Sequence, residues 1–340
     1  MTSRLSRQTL LAAALITAAL ALPFLTSDYY VQFAAKAILL AMLALSLNLV
    51  VGYGGLVSLC HAAFFGLAGY LLAFMTPESG GASLWLSLPV ALVVVGSVAA
   101  VIGVLSLRTR GVYFIMVTLA FGEMLFYLFH DTKIGGGSDG LYIYFKPEIA
   151  LAGVTLVDLD SHRSFYYVTL ACLLGTAALI RALVGSPFGH ALVAAKSNER
   201  RALSLGFPVL QVRLAAFVIS AMIAALAGFF SAAQFGFIAP QVLGWHMSAS
   251  VLVMVVLGGL SSILGPIAGA LALLGLEELL KSSFEQWKLI KGLIVIALVF
   301  ALPGGLQQLI GLVLPERTKE KVEHEIEPDV VAVPEAVPHV

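Results

Sequence analysis

Apolar runs close to the length of a bilayer crossing recur along most of the chain, and they limit the fold more than any motif does. Candidate spans cover 8–25, 33–51, 59–76, 84–106, 111–130, 164–182, 211–236, 248–260, 263–280 and 289–311. A spanning helix needs about 20 mainly apolar residues. Of the 340 residues 60% are hydrophobic and only 11% charged, with a mean hydropathy of +1.00. A soluble domain carries roughly 45–50% apolar and about 25% charged residues, so a larger soluble core does not explain the excess. The expected fold is an all-α, polytopic transmembrane helical bundle of about eight to ten spans. Two stretches, "VGYGGLVSLCHAAFFGLAGY" (51–70) and "VLGGLSSILGPIAGA" (256–270), are short or interrupted. Broken or re-entrant backbone is tolerated at membrane depth only where protein or a wet cavity surrounds it.

The placement of cations sets an orientation. With ten spans and a cytoplasmic start, the inner loops hold Arg4, Arg7, Arg108, Arg110, Arg181, Lys196, Arg200, Arg201, Arg213, Arg317, Lys319 and Lys321. The outer loops hold Lys133, Lys146, Arg163, Lys281, Lys288 and Lys291, with Lys36 near the outer end of the second span. Twelve inside against six or seven outside follows the positive-inside bias. Both termini are then cytoplasmic. Residues 1–314 form the transmembrane domain, 131–163 a periplasmic loop, and 315–340 a tail whose Pro, Val and charge alternation reads as disordered. The N-terminal run, with Arg4, Arg7 and Ala19-Leu20-Ala21, has signal-peptide features; in a polytopic chain a retained first span is expected.

Residues 186–210 interrupt this apolar chain with "SPFGHALVAAKSNERRALSLGF" at their start. Ser186 before Pro187 predicts one helix start, with the hydroxyl as cap, and Gly189 weakens that first turn. Asn198 predicts a second cap, and Glu199 suits the positive end of the helix dipole. Gly206 supplies a left-handed stop and Pro208 prevents resumption. Residues 199–205 make about two turns, roughly 10 Å long. Such an island fits either a plain surface loop or a knob for a cytoplasmic partner, with Ala202, Leu203 and Leu205 for packing and Arg200 and Arg201 for charge.

The island and the following "RLAAFVISAMIAALAGFFSAAQFGFIAPQ" (213–241) closely resemble the permeases of branched-chain amino acid ABC importers, of the LivM type. So do "GYGGLVSLCHAAFFGLAGY", "RGVYFIMVTLAFGEM", "GGSDGL", "VLVMVVLGGLSSILGPIAGA" and "LPGGLQQL", making six blocks in the family's order between residues 52 and 309. The resemblance implies a subunit that moves branched-chain or other hydrophobic amino acids into the cytoplasm by ATP-driven alternating access. It implies as partners a second, homologous permease in a heterodimer, two ABC ATPase subunits and a periplasmic substrate-binding protein, all around a chain embedded in lipid. In such importers a loop of E-A-A-x-x-x-G pattern meets the ATPase. Glu199, Ala202 and Gly206 match its landmarks and Leu203 lies between them, while Arg200 and Arg201 depart from the smaller or apolar residues more usual there. Urea and short-chain amide importers use similar permeases, so the cargo stays open between these classes. An ion-coupled secondary transporter is the rival from another class, and it would need midplane carboxylates.

Other motifs add little chemistry. "GGGSDG" (135–140) matches G-x-G-x-x-G formally but lacks the strand and helix of a dinucleotide unit. Gly136, Gly137, Ser138 and Asp139 are instead candidates for a periplasmic mouth that docks the binding protein. No P-loop occurs, so ATP must be hydrolysed by another polypeptide. Glu123 is the carboxylate well inside an apolar span, fit to line a path, cap a helix or pair with a cation. Asn48, Tyr53, His61 and Gln234 join it as translocation-path candidates, with interhelical hydrogen bonding the competing role for Asn48, His61 and Gln234. Ala224-xxx-Gly228 and Gly265-xxx-Gly269 predict close helix packing. The seven histidines show no metal spacing, and Cys60 and Cys172 read as small buried side chains. No cofactor, metal, catalytic constellation or nucleic-acid partner is expected.

Overall fold

The computed structural model describes residues 17, 19–77, 80–151, 154–260, 262–302 and 304–308. The tail 315–340 and most of the first candidate span lie outside the described residues. Residues 19–25 are helical, and the hydroxyls of Tyr166 and Tyr167 donate to the Ala19 and Leu20 carbonyls.

The central rod is α1, Asp28–Asn48, which passes without a break into a π-helical turn at Leu49–Tyr53. Nearly every residue from Ala35 to Tyr53 is buried, so this helix is apolar all round because protein surrounds it. His61–Met75 (α2) and Val209–Phe235 (α8) pack beside it. Outside these lie Leu84–Ser106 (α3), Val112–Asp131 (α4) and His162–Val184 (α5), whose outward faces stay apolar as lipid requires. The island forms α6, Pro187–Ser197, and α7, Glu199–Ser204. Trp245–Gly258 (α9), Leu264–Ser283 (α10) and Trp287–Ala301 (α11) close the other flank.

Among the described residues six segments are long and apolar enough to cross a membrane: Asp28–Tyr53, α3, α4, α5, α8 and Pro240–Gly258. α2 and α11, at 15 residues each, fall short of that length. α10 has the length but carries Glu277, Glu278 and Lys281 in its last turns. The expected interruptions are real. The chain breaks after Tyr53, where Gly55 takes a positive φ of 69°, and again after Gly258, where Gly259 sits at φ 112°.

Successive helices alternate in direction, giving the bundle two ends. One end gathers 54–60, 107–111 and the island. The other gathers 132–161, 236–244 and 284–286. At this second end the loop is tied down by short antiparallel pairing of Leu141–Tyr142 (β1) with Phe237–Ile238 (β4), and it carries its own hairpin, Ile149–Leu151 (β2) with Val154–Val157 (β3). Lys146 pins the loop by donating to the Leu159 carbonyl at 2.9 Å. Burial holds its ammonium below the usual lysine pKa, against the opposing pull of Asp160 and Asp158.

Small residues let backbones meet. A side-chain carbon on Gly228 of α8 would lie 1.8 Å from the Phe65 carbonyl oxygen of α2. One on Gly269 of α10 would lie 2.0 Å from the Met254 oxygen of α9, and one on Gly258 1.9 Å from the Gly265 oxygen. The small-xxx-small spacing thus marks true contact seams. Cys60 is buried and Cys172 half-buried, and both are free thiols.

Candidate functional site: the island and the polar contacts beneath it

The second expected cap is present. Asn198 has extended backbone, and its Oδ1 accepts from the Arg201 amide at 3.0 Å. Gly206 takes φ 84°, and the Gly206 and Phe207 amides return to the Leu203 and Ala202 carbonyls, closing α7. The first expected cap is not. The Ser186 hydroxyl turns back to the Leu183 carbonyl at 2.6 Å and caps nothing, while Pro187 alone opens α6. The reason is crowding: α6 starts so close to the end of α5 that a side-chain carbon on Gly189 would meet the Val184 oxygen at 2.3 Å. Gly189 is there for that approach. Asn198→Ala should destabilise α7 by about 1 kcal/mol, seen as faster amide exchange at Arg201 and Ala202 than in the native chain.

Island residues split into an anchored and a free face. Ala202 is buried against Ala195 and Val209. Leu203 and Leu205 are 52% and 70% exposed, and Arg200 and Arg201 are exposed beside them. Glu199 belongs to the anchored face. Its Oε1 meets Arg110, at the start of α4, at 2.9 Å, and its Oε2 accepts from Arg213 of α8 at 3.0 Å. Arg213 also donates to the Ala195 carbonyl at 3.2 Å. Lys196 reaches down to the Gly52 carbonyl in the π-helical turn at 2.5 Å. The two short island helices are therefore tied together to α4 and α8, through Glu199 of α7, and to the break below α1, through Lys196 of α6.

Most of the intramembrane polar candidates bond to another segment of the bundle. The buried Asn48 donates to the Ser262 carbonyl at 2.7 Å, bridging the two broken segments. Tyr53 ends the π-helical turn and packs with Leu45, Leu49 and Leu192. His61 is buried between Ser58, at 3.2 Å from Nδ1, and Ser220, at 2.7 Å from Nε2; Ser220 in turn donates to the Ser46 carbonyl at 2.5 Å. Gln234 lies at the loop end and donates to the Gln32 carbonyl at 2.8 Å. Glu123 accepts from the Trp245 amide at 2.9 Å and so caps α9. Asn48, His61, Glu123 and Gln234 thus all join helices. Gly136 and Gly137 hold positive φ in a tight turn pressed on β4, with Ser138 and Asp139 exposed. Among the described residues no three His, Cys, Asp or Glu side chains gather as a metal site would need.

Sequence reasoning missed Arg110, Arg213 and Lys196 as partners, and Ser58 and Ser220 as the hydroxyls that flank His61. The arginines and lysine counted there only as orientation charges. Their place at span ends bordering the island was the available signal.

Fold and contacts together define a polytopic helical bundle. The family model for the branched-chain amino acid transport system permease component matches residues 29–302, and the chain belongs to that family. It is similar to the high-affinity branched-chain amino acid transport system permease protein LivM of Salmonella typhimurium, at 32% identity over 319 residues, 88% of this chain and 75% of the relative. It is 31% identical to LivM of Escherichia coli K12 over the same shares. No solved structure matches it significantly.

Proposed function

We propose that the chain is one permease half of an ABC importer that carries branched-chain amino acids into the cytoplasm, driven by ATPase subunits on separate polypeptides. The island end is cytoplasmic in this reading, which the cation bias supports. The loop end, with Ser138 and Asp139, faces a periplasmic binding protein. A second homologous permease completes the pore. The relatives' names favour this cargo over urea or amides.

The observation that carries the mechanism is the two-faced island. Leu203, Leu205, Arg200 and Arg201 offer a free apolar and cationic knob, while Glu199 and Lys196 bind the other face to α4, α8 and the π-helical turn. Closure of the ATPases would press the knob, and the pins would pass that displacement to the broken segments. Glu199 acts here within the permease, as a strut, with both carboxylate oxygens occupied. An ion-coupled carrier would need a midplane carboxylate, and the candidate, Glu123, caps α9 through Oε1.

Reconstitution of the chain with its expected partners in proteoliposomes tests this. Leucine uptake should require ATP, both ATPase subunits and the binding protein. Uptake that survives without the ATPases and follows an imposed ion gradient overturns the reading.

A further inference from the structure

Between α1, α2, α8, α9, α10 and α11, near the loop end, lies a pocket of about 240 Å³. That is below the roughly 300 Å³ where drug-sized sites begin, and suits one small metabolite. Its floor is apolar, made by Leu40, Phe65, Met254 and Leu274. Its rim holds Lys36, Glu277 and Lys291.

The rim charges do not balance. Glu277 is fully engaged, with Oε1 on Lys281 at 2.6 Å and Oε2 on Lys291 at 2.8 Å. Lys36 makes no hydrogen bond or ion pair among the described residues; its recorded contact is the Phe235 ring, 5.9 Å from the ammonium. Two lysines and one glutamate in the lining leave one positive charge uncompensated beside an apolar floor. An ionisable group in a spanning helix is costly, and ordinarily has a partner. Here the described residues supply an aromatic face.

We propose that this pocket is a transit site for an aliphatic carboxylate, with Lys36 receiving the carboxylate and the apolar floor receiving the side chain. An α-amino acid adds an ammonium, which meets Glu277 and displaces Lys281, the more exposed of its two lysine partners. Urea or a neutral amide would leave Lys36 uncompensated and gains nothing from it. The pocket therefore separates the two cargo classes that the island and the family motifs leave together. This rests on the permease reading above and adds a location and a chemical criterion to it.

Two measurements test the site. In the first, the native chain in nanodiscs is examined by saturation-transfer NMR with leucine, isocaproate and isocaproamide. Leucine and isocaproate should give mutually competing signals and isocaproamide none. Equal signals from the amide, or none from either carboxylate because lipid tails fill the pocket, overturn the proposal. In the second, Lys36→Met and Lys36→Arg are compared in the full importer in proteoliposomes. Lys36→Met should lower leucine uptake per ATP hydrolysed about tenfold, with Lys36→Arg near native and ATP hydrolysis still stimulated by loaded binding protein in both. Native uptake per ATP in Lys36→Met overturns the pocket alone. Absence of leucine uptake by the native importer overturns the permease reading beneath it.

Discussion

Gly228→Val should push α2 and α8 apart and lower the stability of the chain markedly. The added Cβ would stand 1.8 Å from the Phe65 carbonyl oxygen, and that neighbour is backbone. No rotamer change relieves it, so one whole helix must move. Overpacking a filled interior costs about 1–3 kcal/mol when side chains can yield, and here they cannot. The apt measurement is thermal unfolding in detergent, with Gly175→Val as control, since nothing lies within 4 Å of a Cβ built at Gly175. The control should keep the native Tm while Gly228→Val loses many degrees. Equal Tm values for the two would mean that the α2–α8 seam is looser than its geometry.

Glu199→Arg should stop uptake while leaving the chain in the membrane. It replaces the carboxylate between Arg110 and Arg213 with a third cation, and Arg213 is only 15% exposed. Breaking a buried pair costs roughly 3–5 kcal/mol, and the exposed Arg110 side discounts that to about 2–3 kcal/mol. This is enough to free the island from α8, so transport should fall roughly a hundredfold, with ATP hydrolysis continuing. The double charge swap, Glu199→Arg with Arg110→Glu, should restore part of the uptake. A direct Glu199 contact to the ATPase would give no rescue, and that result would remove the strut.

Much of the architecture was legible because membrane burial writes itself into single residues. Runs of Leu, Val and Ala announced α3, α4, α5 and α8 to within about two residues at most ends. Asn198 and Gly206 announced the limits of α7, since capping is local chemistry. Ser186 misled because a crowded neighbour, α5, overrode the same local rule. What the sequence could not show were pairings over long separations. Glu199 and Arg110 lie 89 positions apart, Glu123 and Trp245 lie 122 apart, and no periodicity links them. Glu123 had three open roles in sequence, and only the position of the α9 amide chose among them. The pocket at Lys36 was equally hidden, because it needs six helices to exist.

The two links that run from the island into the bundle land in different places. Lys196 of α6 holds the Gly52 carbonyl in the π-helical turn. Glu199 of α7 holds Arg213 of α8, whose flat guanidinium also donates to the Ala195 carbonyl of α6 and so ties both island helices to one residue. A shift of α6 alone would reach the break after α1, and a shift of α7 alone would reach α8. Through Arg213 the two island helices share an anchor, so the break and α8 answer to a single displacement.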